Sequence, residues 1–259
     1  MRPLAAVETA RRQRGVLSEV AHRPWPLPSR PWLMGQSWRG LAFAHWNVDP
    51  AALERVVPPQ IPLDLRDGRA WIGITPFRVE GLRLRNTLPP PVVSRFEEAN
   101  VRTYVNVDGK PGIYFLSLDA ASRAAVAAAR RSYRLPYFHS RMRMDEDASR
   151  VRFEAKRISP DGPPARLRIG YEPAGEQFAA RPGTLEHWLT ERYCLYTLAE
   201  DGTVQRGEIH HPPWPLQPAR ATIFENTMTE GVGIELEGEP VLHFSALQDV
   251  VLWAIEPVR

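Results

Sequence analysis

The stretch E-E-A-N-V-R-T-Y-V-N-V-D-G-K-P-G-I-Y-F-L-S-L, residues 97–118, reads as two strands joined by a tight turn. Asp108-Gly109 is the turn, because an Asp-Gly pair tolerates the positive φ that a two-residue hairpin loop demands. In the first arm, Glu98, Asn100, Arg102 and Tyr104 alternate with Ala99, Val101, Thr103 and Val105. Successive side chains of a strand point to opposite faces, so one face is mostly small and apolar and the other carries four polar groups in a row. Two readings of that row stay open. One is an interior pocket holding an acid, an amide, a guanidinium and a phenol. The other is a solvated outer face with an ordinary Glu/Arg cross-strand pair.

The same grammar recurs outward. Asp67-Gly68 lies between Leu63–Leu65 and Ala70–Phe77, and Asp201-Gly202 lies between Tyr193–Ala199 and Thr203–His210. Further strands are expected at Leu41–Val48, Phe138–Asp145, Arg150–Ile158, Ala165–Glu172, Ala219–Thr227, Val241–Ala246 and Val250–Glu256. Short helices fit between them. One starts at Asp49-Pro50 and runs to Val57, another runs from Thr184 to Arg192, and an alanine-rich one is capped by Asp119 and runs to about Arg134, where Pro136 stops it. The chain has 26 prolines in 259 residues, about twice the usual share of about 5%, which suits many short elements. No strand–helix alternation suggests a doubly wound sheet. The expectation is a mainly β protein with a few short helices, folded as a closed antiparallel barrel, which removes sheet edges and can hold one small ligand. Residues 1–31 read as a loosely ordered N-terminal extension and 32–259 as a single domain.

Several functions are disfavoured. With 43% hydrophobic and 24% charged residues the chain can build a core, and its net charge is only +3. Acidic residues are interspersed with the arginines, so no nucleic-acid stripe is visible. No apolar run approaches the ~18 residues of a membrane helix, and a cytoplasmic location is expected. Cys194 is alone, so no intrachain disulfide forms, and its expected role is that of a small buried hydrophobe. His210 and His211 are adjacent and would face opposite ways on a strand, so no metal site is expected. There is no G-x-S-x-G, no G-x-G-x-x-G and no phosphate loop, and no cofactor is expected. The only lysines are Lys110 and Lys156, which limits any chemistry that needs a neutral amine.

The candidate site follows from the polar row. Glu98 is the candidate acid or base, Arg102 a carboxylate clamp, and Tyr104 a proton donor, a role that the family resemblance described next also gives to Tyr137. Asn100, Tyr104, Arg130, His45, Trp71 and His139 are candidate ligand contacts, since Trp and His on strands can line a pocket with flat walls and polar tips.

The motifs Q-S-W-R-G-L-A-F-A-H-W (36–46), D-G-R-A-W-I-G-I-T-P-F (67–77), N-V-R-T-Y-V (100–105) and S-L-D-A (117–120) resemble the YqjF-like family, a bacterial domain of unknown function. L-P-Y-F-H (135–139), T-E-R-Y-C-L-Y (190–196), H-P-P-W-P-L (211–216) and L-H-F-S (242–245) extend the resemblance from about Trp32 to the C-terminus. That family is similar in fold to acetoacetate decarboxylase, which implies a cone-shaped antiparallel barrel with a central cavity. Glu98 resembles the decarboxylase's barrel glutamate, and Arg130 and Pro136 resemble the arginine and proline of its later stretch. Where the decarboxylase has its imine-forming lysine, this chain has Tyr137 followed by Phe138. A tyrosine forms no imine, so the decarboxylase chemistry is not implied. The leading expectation is a barrel that binds a small anionic molecule. The alternatives are a lyase, hydratase or isomerase using Glu98 and Arg102, and a barrel whose surface serves protein contacts or homo-oligomerisation.

Overall fold

The computed structural model describes residues 3–91, 93–147 and 150–258. Its frame is a twelve-stranded sheet. The strands are β1 (Met34–Val48), β2 (Ala70–Leu84), β3 (Phe96–Val107), β4 (Lys110–Ala120), β5 (Tyr137–Glu146), β6 (Val151–Arg157), β7 (Arg166–Pro173), β8 (Cys194–Leu198), β9 (Val204–His210), β10 (Gln217–Asn226), β11 (Val241–Leu252) and β12 (Glu256–Pro257). Helices α1 (Pro3–Gly15), α2 (Pro50–Glu54), α3 (Arg123–Tyr133) and α4 (Leu185–Thr190) punctuate them. No helix among the described residues is long and apolar enough to cross a membrane.

The hairpin 97–118 forms as β3–β4 around its Asp-Gly turn. Asp108 and Gly109 both take positive φ, as do Asp67 and Gly68 at the start of β2. The sheet is mixed, whereas an antiparallel one was expected. β4 pairs in parallel with both β5 and β8, because α3 and the long excursion through β5–β7 return the chain in the same direction. The strand order also returns on itself, through β4–β5 on one side and β9–β11 on the other. β11 is one strand where two were expected, and β1 begins seven residues before the expected Leu41.

The central strands β1–β3 are covered on both faces. Ala42, Ala44, Ile72, Ile74, Ala99 and Val101 pack with Phe153, Leu167, Ile169 and Tyr171 of β6 and β7. The opposite face therefore carries Phe43, His45, Thr75, Phe77, Glu98, Asn100, Arg102 and Tyr104. All four members of the polar row are buried, from Tyr104 at 0% to Arg102 at 8% exposed, so the solvated-face reading does not hold.

Helix α1 lies against β1, β2 and β11. Gln13 is fully buried and donates to Ser37 Oγ and to the Gly81 carbonyl, both at 3.1 Å. Arg83 donates back to Gln13 Oε1 at 2.7 Å and to the Ala10 carbonyl at 2.9 Å. This part of the expected extension is anchored by buried hydrogen bonds, which cost too much to leave unmade.

Asp119 does not cap α3. It is the penultimate residue of β4, and its carboxylate accepts from Arg157 Nε at 2.8 Å, Arg157 Nη2 at 2.6 Å and Ser140 Oγ at 2.6 Å. The cap is Ser122, whose Oγ accepts from the Ala125 amide at 3.2 Å. A two-pronged bond to a guanidinium outweighs a cap worth about 1 kcal/mol.

Candidate functional site

A cavity of about 450 Å³ opens between α3 and the neighbouring ends of β1, β2 and β3. Met34 and Gln36 of β1, Leu82 and Leu84 of β2, and Phe96 and Glu98 of β3 form its floor. A bulge makes this possible. The register of β1 against β2 slips between Gly35 and Ser37, and Gly81 takes φ +62°. Leu84 thus stands opposite Met34 while Val79 stands opposite Trp38, so both leucines return to the apolar side. A side chain at Gly81 would meet Thr9 Cγ2 of α1 at 2.5 Å, which closes that position to larger residues. The roof is one stripe of α3. Ala125, Ala128, Ala129 and Ser132 recur at helical spacing and face the cavity together. Thr87, Leu88 and Pro90 form the rim, where Leu84 and Leu88 are more than half exposed.

The polar chemistry is concentrated at Glu98 and Tyr137. Tyr137 heads β5, beside the end of β4, and its hydroxyl donates to Glu98 Oε2 at 3.2 Å. Burial raises the Glu98 carboxyl from 4.5 to about 8, against the lowering effect of the Tyr137 hydrogen bond, and Asp119 adds a smaller upward push. Burial, with Glu98 beside it, also holds the Tyr137 phenol well above its usual range. At neutral pH the pair is a carboxylic acid and a phenol, neither charged. Such a pair can donate a hydrogen bond or a proton to a ligand's acceptor, as general acids of raised pKa do.

The expected site is divided. Arg102 is on the same face of β3 as Glu98, four residues on, so the two Cα atoms stand about 13 Å apart. Between them, Asn100 is engaged by the Thr75 hydroxyl. Arg102 belongs to a second buried cluster. Its Nη2 donates to the Leu189 carbonyl at 3.2 Å and to the Tyr104 hydroxyl at 3.5 Å, and its guanidinium lies over Phe43, 5.2 Å from the ring centre. Tyr104 and His45 Nε2 are 2.7 Å apart. Burial and the positive charge of Arg102 push His45 well below its usual value, so it is neutral and shares one hydrogen bond with the Tyr104 hydroxyl. Gly73 stands between His45 and Arg102 in the strand pairing, and a Cβ there would lie 2.8 Å from His45 Cδ2. Glycine is what lets the imidazole lie so close.

Arg102 has no carboxylate partner among the described residues. The comparably buried Arg23, Arg157 and Arg192 pair with Glu208, Asp119 and Asp64. Trp71 packs in the same cluster as Tyr104, with its Nε1 unpartnered.

Arg130 and His139 lie on the far side of α3, along a different surface depression. Arg130 is bound to Asp161 at 2.6 Å and to the Tyr137 carbonyl, and His139 Nδ1 accepts from Arg123 at 3.4 Å. Lys110 stacks over Trp25 and Lys156 stands on β6 against Arg141 and Arg166, so neither reaches the cavity. Among the described residues no group of metal-ligating side chains converges.

Residues 35–249 match the DUF2071 family, described as an uncharacterized conserved protein. The chain belongs to this family. A curated relative, the uncharacterized protein YqjF of Bacillus subtilis (strain 168), is 41% identical over 230 residues, which is 88% of this chain and 94% of that one. Among solved structures, this DUF2071 protein is similar in fold to the enduracididine biosynthesis enzyme MppR complexed with the condensation product of pyruvate and imidazole 4-carboxaldehyde. The TM-score is 0.62 at 13% identity, over 88% of this chain and 90% of that one. It is also similar to acetoacetate decarboxylase from Legionella pneumophila, with a TM-score of 0.59 at 14% identity over 92% and 93% of the two chains. At these identities the likeness is one of fold.

Glu98 and Tyr137 are expected in one site from sequence, and the structure brings them into contact. The rest of this DUF2071 cavity was not foreseen. The alanine stripe of α3 was visible as close packing onto a sheet, and three of those alanines instead bound an open space. Gln36 and Leu82 gave no signal, because their facing depends on a bulge that alternation does not reveal.

Proposed function

We propose that this DUF2071 protein binds a small molecule in the cavity between α3 and β1–β3, with Glu98 as the group that grips it. One observation carries the reading: a carboxyl held neutral, bonded to Tyr137, at the foot of a mostly apolar cavity of about 450 Å³. That volume suits a small ligand. The strands around the cavity act as a barrel-like wall, and α3 closes one side.

A second reading is an enzyme on the same site. The raised Glu98 carboxyl favours it, since an acid with a value of about 8 can both give and take a proton near neutrality. The similar folds of MppR and acetoacetate decarboxylase, both enzymes by their descriptions, point the same way. Imine chemistry does not transfer, because no lysine lines the cavity.

Ligand-induced thermal shift of the wild type, Glu98→Gln and Ala128→Trp tests the binding reading. Ala128 sits on the exposed part of the α3 stripe, so a tryptophan there fills the cavity with little demand on the core. A ligand that raises Tm in the wild type and loses that effect in Ala128→Trp supports the site. An equal rise in both proteins ends it. Turnover retained in full by Glu98→Gln would end the acid–base reading alone.

A further inference from the structure

We propose that the ligand of this cavity is an uncharged, largely apolar carbonyl compound, a ketone, aldehyde or ester, rather than the anion that Arg102 suggested from sequence. The inference rests on the reading of the Glu98 cavity as the binding site and names what that site selects.

Among the described residues, Arg83 is the one cationic side chain on the cavity lining. It is committed elsewhere, as are Arg102 and Arg130, the other two arginines expected at the site. Arg83 borders the cavity, but the strand pairing sets it beside Gly35 on the opposite face, and its guanidinium is held there by Gln13 and the Ala10 carbonyl of α1. Arg102 is held by Leu189 and Tyr104 in the other cluster. Arg130 reaches outward to Asp161 and spends its Nε on the Tyr137 carbonyl. A carboxylate entering the cavity would lose its water and find, among the described residues, only Arg83, whose guanidinium already donates to Gln13 and to the Ala10, Leu84 and Thr87 carbonyls. That costs several kcal/mol, which apolar walls do not return.

The inward-facing polar groups suit a hydrogen-bond acceptor. The Tyr137 hydroxyl is bonded to Glu98 Oε2, while Glu98 Oε1 has no protein partner among the described residues. In the neutral acid, the proton on that oxygen is free to be donated into the cavity, and a carbonyl oxygen is the simplest group to receive it. Gln36, Thr87 and Ser132 also line the cavity, and most of the remaining contacts are apolar. Met34, Leu82, Leu84 and Phe96 on the floor and Ala128 and Ala129 on the roof would bury an alkyl body.

A matched set of probes with one alkyl chain tests this. Heptan-2-one, 2-oxoheptanoate and heptan-2-amine are titrated calorimetrically at pH 7 into the wild type, Glu98→Gln, Ala128→Trp and Ser132→Trp. The two tryptophans sit at exposed positions of α3, so that one folded blocked variant is secured even if the other fails. The expected result is binding of heptan-2-one at least tenfold tighter than of either charged analogue, weakened at least tenfold by each tryptophan. Binding of 2-oxoheptanoate or the amine as tight as the ketone, and lost on blocking, would overturn the ligand class while leaving the site. Binding that survives both tryptophans would overturn the site itself. No binding of the ketone to the wild type would overturn the ligand class.

Discussion

The Tyr137 hydroxyl meets the Glu98 carboxyl at 3.2 Å across the junction of β3 and β5, where Glu98 is buried and Tyr137 half-buried. Neither strand is a sequence neighbour of the other. They converge because α3 carries the chain back so that β5 starts in parallel beside the end of β4. The contact places an acid of raised pKa at the foot of an apolar cavity, and its titration is open to measurement.

The Glu98 carboxyl titrates at about 8 in the folded protein, against 4.5 for a freely hydrated glutamate. Between those values the unfolded chain is ionised while the native one keeps its proton. Stability from this group is therefore fully present below about 4.5 and is lost as pH rises towards 8. The displacement corresponds to on the order of 5 kcal/mol. Glu98→Gln removes the titration, so its Tm relative to wild type should climb steadily from about pH 5 to about pH 8. Parallel Tm curves for the two proteins across that range would show that Glu98 is not buried.

Tyr137→Phe acts on the same group from the other side. The tyrosine hydrogen bond is the contribution that lowers the Glu98 value, so removing it should drive the carboxyl above about 8. The stability cost should be about 1 kcal/mol. Carbon-13 detection of the Glu98 carboxyl through a pH titration reads the shift directly, and a downward move would contradict the assigned geometry.

Much of the architecture was legible before any coordinates. Asp-Gly pairs marked hairpins because positive φ at two successive residues is costly for most side chains, and alternation in 97–107 set Glu98, Asn100, Arg102 and Tyr104 on one face, whose burial the pattern left open. Asp119 was misread because a lone sequence shows a capping residue type but not a buried Arg157 thirty-eight positions away. The parallel pairings of β4 were illegible for the same reason, since they follow from where α3 and β8 return. Glu98 was named from the polar row and Tyr137 from the resemblance, but whether Arg102 shares their cavity depends on distance along the strand and on Thr75 engaging Asn100, which no residue pattern displays.

The buried pair Asp119–Arg157 and the unpaired Arg102 should respond differently to removal of the cation. Arg157→Met leaves a carboxylate 1% exposed with no guanidinium, which should cost about 3–5 kcal/mol in urea unfolding. Adding Asp119→Asn should recover part of that loss. Arg102→Met strands no carboxylate and gives up two hydrogen bonds, so its cost should be smaller. An Arg102→Met loss equal to that of Arg157→Met would reveal a counter-ion for Arg102.

Gly73→Ala tests how tightly the second cluster is closed. A Cβ at residue 73 would stand 2.8 Å from His45 Cδ2, 3.0 Å from His45 Nε2 and 3.4 Å from Arg102 Cγ, and that same Nε2 is hydrogen-bonded to Tyr104. The ring cannot retreat without giving up that hydrogen bond, so the substitution should cost about 1–3 kcal/mol as overpacking. Combining it with His45→Ala removes the obstacle, and the double variant should then be less destabilised than the sum of the two single changes. Additive losses in equilibrium unfolding would mean that the imidazole and residue 73 do not compete for the same space.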